Sequence, residues 1–294
     1  MRIGNFEVED LAETPKDPIA IAALWPWIDV NNVGTAVLRE IRNRYNARLI
    51  GRLATPGLFY DFTRYRPQIE LEDEIKGMSI PNTTVYLARR EGNKDLILIR
   101  MREPHSHAEL FVRSVLKLLT VFGVKTYIVV GSMYDAVPHT RPLIVNGYGM
   151  GESAKEIVRK NGVLSISYRG PSSIVNMVTK KAYESGIETM VFIVSIPQYV
   201  ILDEDYAGKL RLIELLSRII DIPVDQDDYI KVLEQKSIIG ENVDRSPEIK
   251  AILPHLEKMY DTRVKVAGRE GTLELSPEME ELLWKTMGKD VGKA

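Results

Sequence analysis

Residues 19–24 form an unbroken apolar run, Ile-Ala-Ile-Ala-Ala-Leu, set between Pro18 and Trp25-Pro26-Trp27. A short run without polar alternation is the pattern of a strand covered on both faces, and strands of that kind belong to parallel sheets. Asn31 or Asn32 can cap the helix that follows, whose inner stripe is Val33, Val37, Ile41 and Tyr45. Residues 48–53 resume as a strand. Strand, helix and strand make a βαβ unit and predict parallel pairing of its two strands.

The pattern then changes. Pro56-Gly57, Pro67, Gly77 and Pro81 punctuate residues 55–80, which read as loops with room for a hairpin. Residues 85–89 and 96–101 are two strands joined across Glu91-Gly92-Asn93-Lys94, an antiparallel hairpin. After Pro104 a helical stripe runs through Phe111, Val115, Leu118 and Phe122, with Gly123 placed to end it. Residues 127–130 are a buried strand, 143–145 a short one, and 154–160 a short helix. A second β-α-β stretch follows: strand 163–167, a helix on Ile174, Met177, Val178 and Ala182, and strand 190–196. Leu212, Leu215, Leu216 and Ile219 then mark another helix.

Beyond Ile222-Pro223 no strand is legible. Residues 229–233 look helical. Ser246-Pro247-Glu248 and Ser276-Pro277-Glu278 each place a capping Ser, a Pro in the first turn and an acid behind it. Pro254 inside the first of these helices predicts a kink or a break. The reading is therefore an α/β body over residues 1–223, with a mostly parallel sheet, and a helical extension over 224–294.

Composition excludes whole classes of chemistry. The 294-residue chain has no cysteine, so disulfides, thiolate metal sites and a Cys nucleophile are ruled out. Lys and Arg number 39 against 41 acids, and a net charge of −2 is no footprint for nucleic acid or an anionic membrane. Residues 1–10 lack the basic-then-apolar order of a signal peptide, and no apolar run approaches the roughly 20 residues that span a bilayer. The expected compartment is the cytoplasm.

Few motifs carry chemistry, and no catalytic set, cofactor or metal site is expected. Neither phosphate-loop pattern appears; Gly147-Tyr148-Gly149-Met150-Gly151 alternates glycines before a helix and reads as a turn. His105 and His107 are two apart at a helix start, where they point in different directions. Gly170-Pro171-Ser172-Ser173 stands at a strand-to-helix turn, where its amides and hydroxyls can hold an anion or simply cap the helix. In Val137-Pro138-His139-Thr140-Arg141-Pro142, two prolines bracket an imidazole, a hydroxyl and a guanidinium. These can bind an anion or serve acid–base work, or they can bridge loop and sheet with Arg141 paired to an acid such as Asp135. Asp61, Arg64 and Arg66 lie among aromatics on a loop that fits an interface as well as a pocket.

Taken in succession, several tracts resemble the proteasome assembly chaperone family in its bacterial branch. They are Leu24-Trp25-Pro26-Trp27-Ile28-Asp29, Tyr60-Asp61-Phe62 with Arg66-Pro67, and Glu103-Pro104. Val137 to Pro142, Gly170-Pro171-Ser172 and Ile196-Pro197-Gln198-Tyr199 continue the likeness. Trp27 and Gln198 depart from the branch's usual Gly and His. The resemblance implies a three-layer α/β/α sandwich like that of nucleoside phosphorylases, self-association with a trimer as one form, and proteasome subunits as partners. It also implies an interface in which Trp25, Trp27, Tyr60, Phe62, Arg66 and Tyr199 are the candidate contacts. The ATP-grasp ligase label carried by some bacterial members finds no glycine-rich nucleotide loop here. The alternative is a small-ligand protein or enzyme, in which His139, Thr140 and Arg141 meet Gly170, Ser172 and Ser173 around one pocket.

Overall fold

Residues 19–25 form the strand that the apolar run predicts, and the rest of the chain is built outward from it. The computed structural model describes residues 1–71, 75–167, 170–270 and 272–274. Its first part comprises β1 (Arg2–Ile3), β2 (Phe6–Val8), β3 (Ile19–Trp25), α1 (Val33–Arg44), β4 (Arg48–Leu53), β5 (Gln68–Leu71) and β6 (Ile75–Ser79). Next come β7 (Thr84–Ala88), β8 (Leu96–Arg102), α2 (Ala108–Val121), β9 (Thr126–Asp135), β10 (Val145–Met150), α3 (Glu152–Lys160) and β11 (Ser165–Ser167). The last part holds α4 (Ile174–Glu184), β12 (Glu188–Pro197), α5 (Tyr206–Ile220), α6 (Gln226–Asp244), α7 (Pro247–Glu270) and β13 (Thr272–Glu274).

Nine strands make the main sheet in the order β1-β2-β4-β7-β8-β3-β9-β12-β10. The four central strands β8, β3, β9 and β12 pair in parallel. Every pair outside them is antiparallel, so the sheet is mixed rather than mostly parallel. The cause is local: hairpin β7–β8 inserts between β3 and β4, so the strands of the expected βαβ unit never pair. β4 instead lies between β2 and β7, antiparallel to both.

Side chains of β3 alternate between two cores, which makes the sheet the middle of three layers. Ala20, Ala22 and Leu24 face a core closed by α2 and α4, through Phe111, Val115, Leu118, Val175 and Val178. Ile19, Ile21 and Ala23 face a second core closed by α1, α3 and α5. The stripe on α2 is the predicted one, and Gly123 ends it at φ +71°.

Gly147 and Gly149 lie within β10 and not in a turn. A Cβ on Gly147 would overlap the Val191 carbonyl oxygen, and one on Gly149 would sit 2.5 Å from the carbonyl carbon of Ala154. The alternation reflects close packing of β10 against β12 and α3, a tertiary demand.

Past residue 223, α6 and α7 form as expected, and Ser246 Oγ accepts from the Ile249 N–H at 3.4 Å. α7 runs unbroken through Pro254. Pro254 and Lys250 are both exposed, so the Lys250 carbonyl that loses its partner meets water. The extension is not wholly helical, because β13 follows α7 and pairs in parallel with β11. The helix start at Ser276-Pro277-Glu278 lies outside the described residues.

Candidate functional site

Two prolines hold the loop after β9, and the loop's three polar side chains all find partners. The His139 N–H donates to Tyr199 Oη at 2.8 Å, and His139 Nδ1 lies 2.8 Å from the same oxygen. The phenol oxygen can accept from both the amide and Nδ1 or donate to Nδ1, so the ring tautomer decides the direction of the second bond. Burial lowers the His139 pKa. Thr140 Oγ1 donates to Glu257 Oε1 at 2.5 Å. Arg141 forks onto Asp261 at 3.0 and 3.1 Å and reaches Glu257 at 3.2 Å. Arg141 therefore bridges to α7 and not to Asp135. Asp135 is taken by Arg263 of α7 at 2.6 Å and by the Ser195 hydroxyl at 2.6 Å. Asn146 closes that buried ring, donating to Ser195 Oγ at 2.6 Å and accepting from Arg263 at 2.8 Å.

The Gly170-Pro171-Ser172-Ser173 turn has different company. Ser173 occupies the N-cap position of α4, but its hydroxyl does not cap. The Ile174 N–H donates to Glu103 Oε1 at 3.0 Å, so a carboxylate from the end of β8 closes this helix. Burial lifts the Glu103 carboxyl to about 7. Ser172 Oγ accepts from Asn176 at 2.9 Å, and Gly170 is exposed. Ser172 and Ile174 bond within α4 and to Glu103, whereas His139, Thr140 and Arg141 bond to Tyr199 and α7. Another carboxylate caps α1, where Asp29 Oδ1 accepts from the N–H groups of Gly34 at 2.6 Å and Thr35 at 3.1 Å. Asn32 occupies the N-cap position there without capping.

A third cluster gathers at the carboxyl ends of β3 and β8. The Arg102 guanidinium lies 4.5 Å from the Trp25 ring centroid and 5.2 Å from that of Tyr65. Tyr65 is 5.7 Å from Trp25 and 4.5 Å from His105. His105 Nδ1 accepts from the Asp61 N–H at 3.0 Å, so this imidazole is held by the loop beside it. Trp25, Trp27 and Phe62 are half-buried and Arg66 is exposed, while Tyr60 is only 2% exposed and hydroxyl-bonded to Thr83 at 2.5 Å. Tyr60 is thus a core residue. Sequence reading did not single out Tyr65 or Arg102, although Arg102 adjoins the Glu103-Pro104 pair.

A cavity of about 450 Å³ opens between the 139–143 loop, α5 and α6, with His139, Arg141, Pro197, Leu210, Leu233 and Lys236 on its walls. None of Gly170, Ser172 or Ser173 lines it. Among the described residues no group of three acids or histidines is placed to hold a metal ion. Among the same residues no helix is long and apolar enough to cross a membrane.

Fold and site together define a three-layer α/β/α protein with an arginine–aromatic cluster at the carboxyl edge of its sheet. The chain belongs to the PAC2 family, whose model matches residues 23–236. That match runs past the boundary expected at 223. The curated proteins hold no match to this sequence. Among solved structures, a Mycobacterium tuberculosis protein of unknown function is 22% identical over 98% of both chains, with a TM-score of 0.82. A proteasome-assembly chaperone homologue from the same organism is 21% identical over 79% of this chain and 98% of its own, at TM-score 0.72. An archaeal proteasome activator from Pyrococcus furiosus is 13% identical over 80% and 97%, at 0.61. At these identities the likeness establishes the shared α/β/α fold.

Proposed function

We propose that this chain is a protein-binding assembly factor of the proteasome-assembly-chaperone kind. The observation that carries the reading is Arg102 seated between Trp25 and Tyr65 at the carboxyl edge of β3 and β8. Trp, Tyr and Arg are the residues most enriched at binding hot spots, and a guanidinium already stacked on two rings loses little freedom on association. Trp27, Phe62 and Arg66, neighbours of Trp25 and Tyr65 in sequence and open to solvent at least in part, are the further contacts of this reading. The names of two structural neighbours, a proteasome-assembly chaperone homologue and a proteasome activator, support the same choice of partner.

In this reading the protein works in the cytoplasm as a homo-oligomer, residues 1–223 act as the binding body, and 224–294 are its extension, of which α6 and α7 pack on the body. The experiment is a titration of the full chain against proteasome α subunits, with native electrophoresis to follow ring formation. Ring formation that quickens with the native chain, and does not with Arg102→Ala, is expected. No association of the native chain with any proteasome subunit overturns the reading. Sedimentation of the native chain checks the oligomer independently.

A further inference from the structure

Across five neighbouring strands the register lines up one row of side chains: Arg2 on β1, Glu7 on β2, Arg52 on β4, Thr84 on β7 and Arg100 on β8. Arg100 pairs next with Ala23, so the row lies on the face of the sheet that α1 and α5 cover farther along. Where the row runs, all four charged residues stay exposed and Thr84 is half-buried. The charged side chains make no ion pair or hydrogen bond among the described residues. Three guanidiniums thus stand two strands apart, about 9.6 Å from one to the next, with a carboxylate between the first two. No described residue answers that pattern.

We propose that α6 of a second copy of this chain docks on the row. The outer stripe of α6 carries the complementary pattern. Asp227, Glu234 and Glu241 fall at i, i+7 and i+14, with Lys231 between the first two and Ile238 between the last. Each of these residues is exposed, whereas Asp228 and Val232 on the opposite side of the helix are buried. Asp227, Lys231 and Glu234 have no side-chain partner among the described residues, and Glu241 reaches only Arg245, at 3.6 Å. Laid across the strands, the helix sets Asp227 on Arg2, Lys231 on Glu7, Glu234 on Arg52, Ile238 on Thr84 and Glu241 on Arg100. Spacing agrees as well as sign: Asp227 to Glu241 spans about 21 Å of helix, and the row's four strand separations about 19 Å. Reversed, the helix would put Lys231 at Thr84 and leave Glu7 without a counter-charge, so the pattern fixes the direction. Within one copy Lys209 holds α6 on α5 through Asp228 with this stripe turned outward, so the contact needs a second copy. The two surfaces differ, which makes the contact head-to-tail and generates a ring where the rotation closes. The inference rests on the homo-oligomer reading above and gives it an interface, in which complementary charge sets register and partner choice.

The test reverses the central charge on each surface of the full chain, Arg52 and Glu234, both exposed, and follows self-association by sedimentation velocity. Arg52→Glu alone and Glu234→Lys alone each weaken association at least about tenfold, because like charges then face each other in the interface. Arg52→Glu combined with Glu234→Lys in one chain restores it to within about threefold of the native chain. Lys117→Glu, an exposed reversal of equal size on α2, leaves it unchanged. Melting curves that match the native chain show that each variant is folded. Single variants that associate like the native chain overturn the contact. So does a double variant that stays dissociated, or a Lys117→Glu chain as weak as the other two. A native chain that sediments as a monomer at every concentration overturns both the contact and the homo-oligomer reading. A native oligomer indifferent to all these reversals overturns the contact alone.

Discussion

The Glu103 carboxylate at the end of β8 accepts the Ile174 N–H at the start of α4, at 3.0 Å and across 71 residues of sequence. The bond ties the arginine–aromatic edge to a helix that packs on the same face of the sheet. Burial holds the Glu103 pKa at about 7, against an ordinary 4.5, so the folded state takes up its proton more readily than the unfolded state. Stability from this group is therefore fully present below about pH 4.5 and is lost as pH rises through about 7. Glu103→Gln keeps an acceptor for the amide and removes the titration. Denaturant unfolding from pH 4.5 to 8.5 should show the variant gaining on the native chain by about 2 kcal/mol at the upper end, with the partial exposure discounted. A constant difference across the range would contradict this assignment.

Arg102 should matter to binding far more than to folding. Arg102→Ala is expected to weaken association with a proteasome partner at least about 30-fold, the scale of a hot spot near 2 kcal/mol. Arg102→Lys keeps the charge but loses the planar stack on Trp25 and Tyr65, and should fall between the two. Titration calorimetry with parallel melting curves separates the effects. A melting point that drops while affinity holds would make Arg102 a structural residue.

How far the sequence could be read depended on whether the cause of each feature was local. β3, hairpin β7–β8, α2 and α5 were legible because each rests on a stripe or run within about fifteen residues. The place of β4 was not, since it depends on β7 and β8 inserting beside β3. Gly147 and Gly149 were misread for the same kind of reason: the close approach that requires them comes from Val191 and Ala154. At the caps the nearby Asn32 and Ser173 were the natural reading, yet the carboxylates of Asp29 and Glu103 do the work from outside the helix. The candidate site divides likewise. His139 and Tyr199 were both flagged, but nothing in a single sequence joins positions 60 residues apart. Arg263, which takes Asp135 from Arg141, sits on a helix face with no motif around it.

That Arg263–Asp135 pair is a buried tie among several that hold α7 on the sheet edge. Both side chains are close to nine-tenths buried, and the carboxylate is also hydrogen-bonded to Ser195. Arg263→Met leaves a buried charge without its counter-ion and should cost about 3 kcal/mol or more. Adding Asp135→Leu should recover much of the loss. Arg141→Ala, which breaks only pairs open to water, should change stability little. Limited proteolysis of α7 with urea unfolding distinguishes them, and equal sensitivity of the Arg263→Met and Arg141→Ala chains would refute the latch.

α6 is fastened by a second buried pair, and its failure should unseat the cavity wall. Lys209 of α5 donates to Asp228 Oδ1 at 2.6 Å, with side-chain exposures of 5% and 3%. Glu40 of α1 stands 3.6 Å from the same ammonium. Asp228 Oδ2 is buried without a hydrogen-bond partner among the described residues, so Lys209 is the main compensation for that carboxylate. Lys209→Met should therefore destabilise by about 3–5 kcal/mol, and Asp228→Leu by a comparable amount, because each strands the other's charge. The double variant replaces an imperfect ion pair by apolar contact and should lie well above the sum of the single losses. Urea unfolding of all four chains gives the coupling, and amide exchange over residues 226–244 shows whether the loss falls on α6. Additive single losses would mean that Lys209 and Asp228 act independently, and would remove this pair as the reason α6 lies against α5.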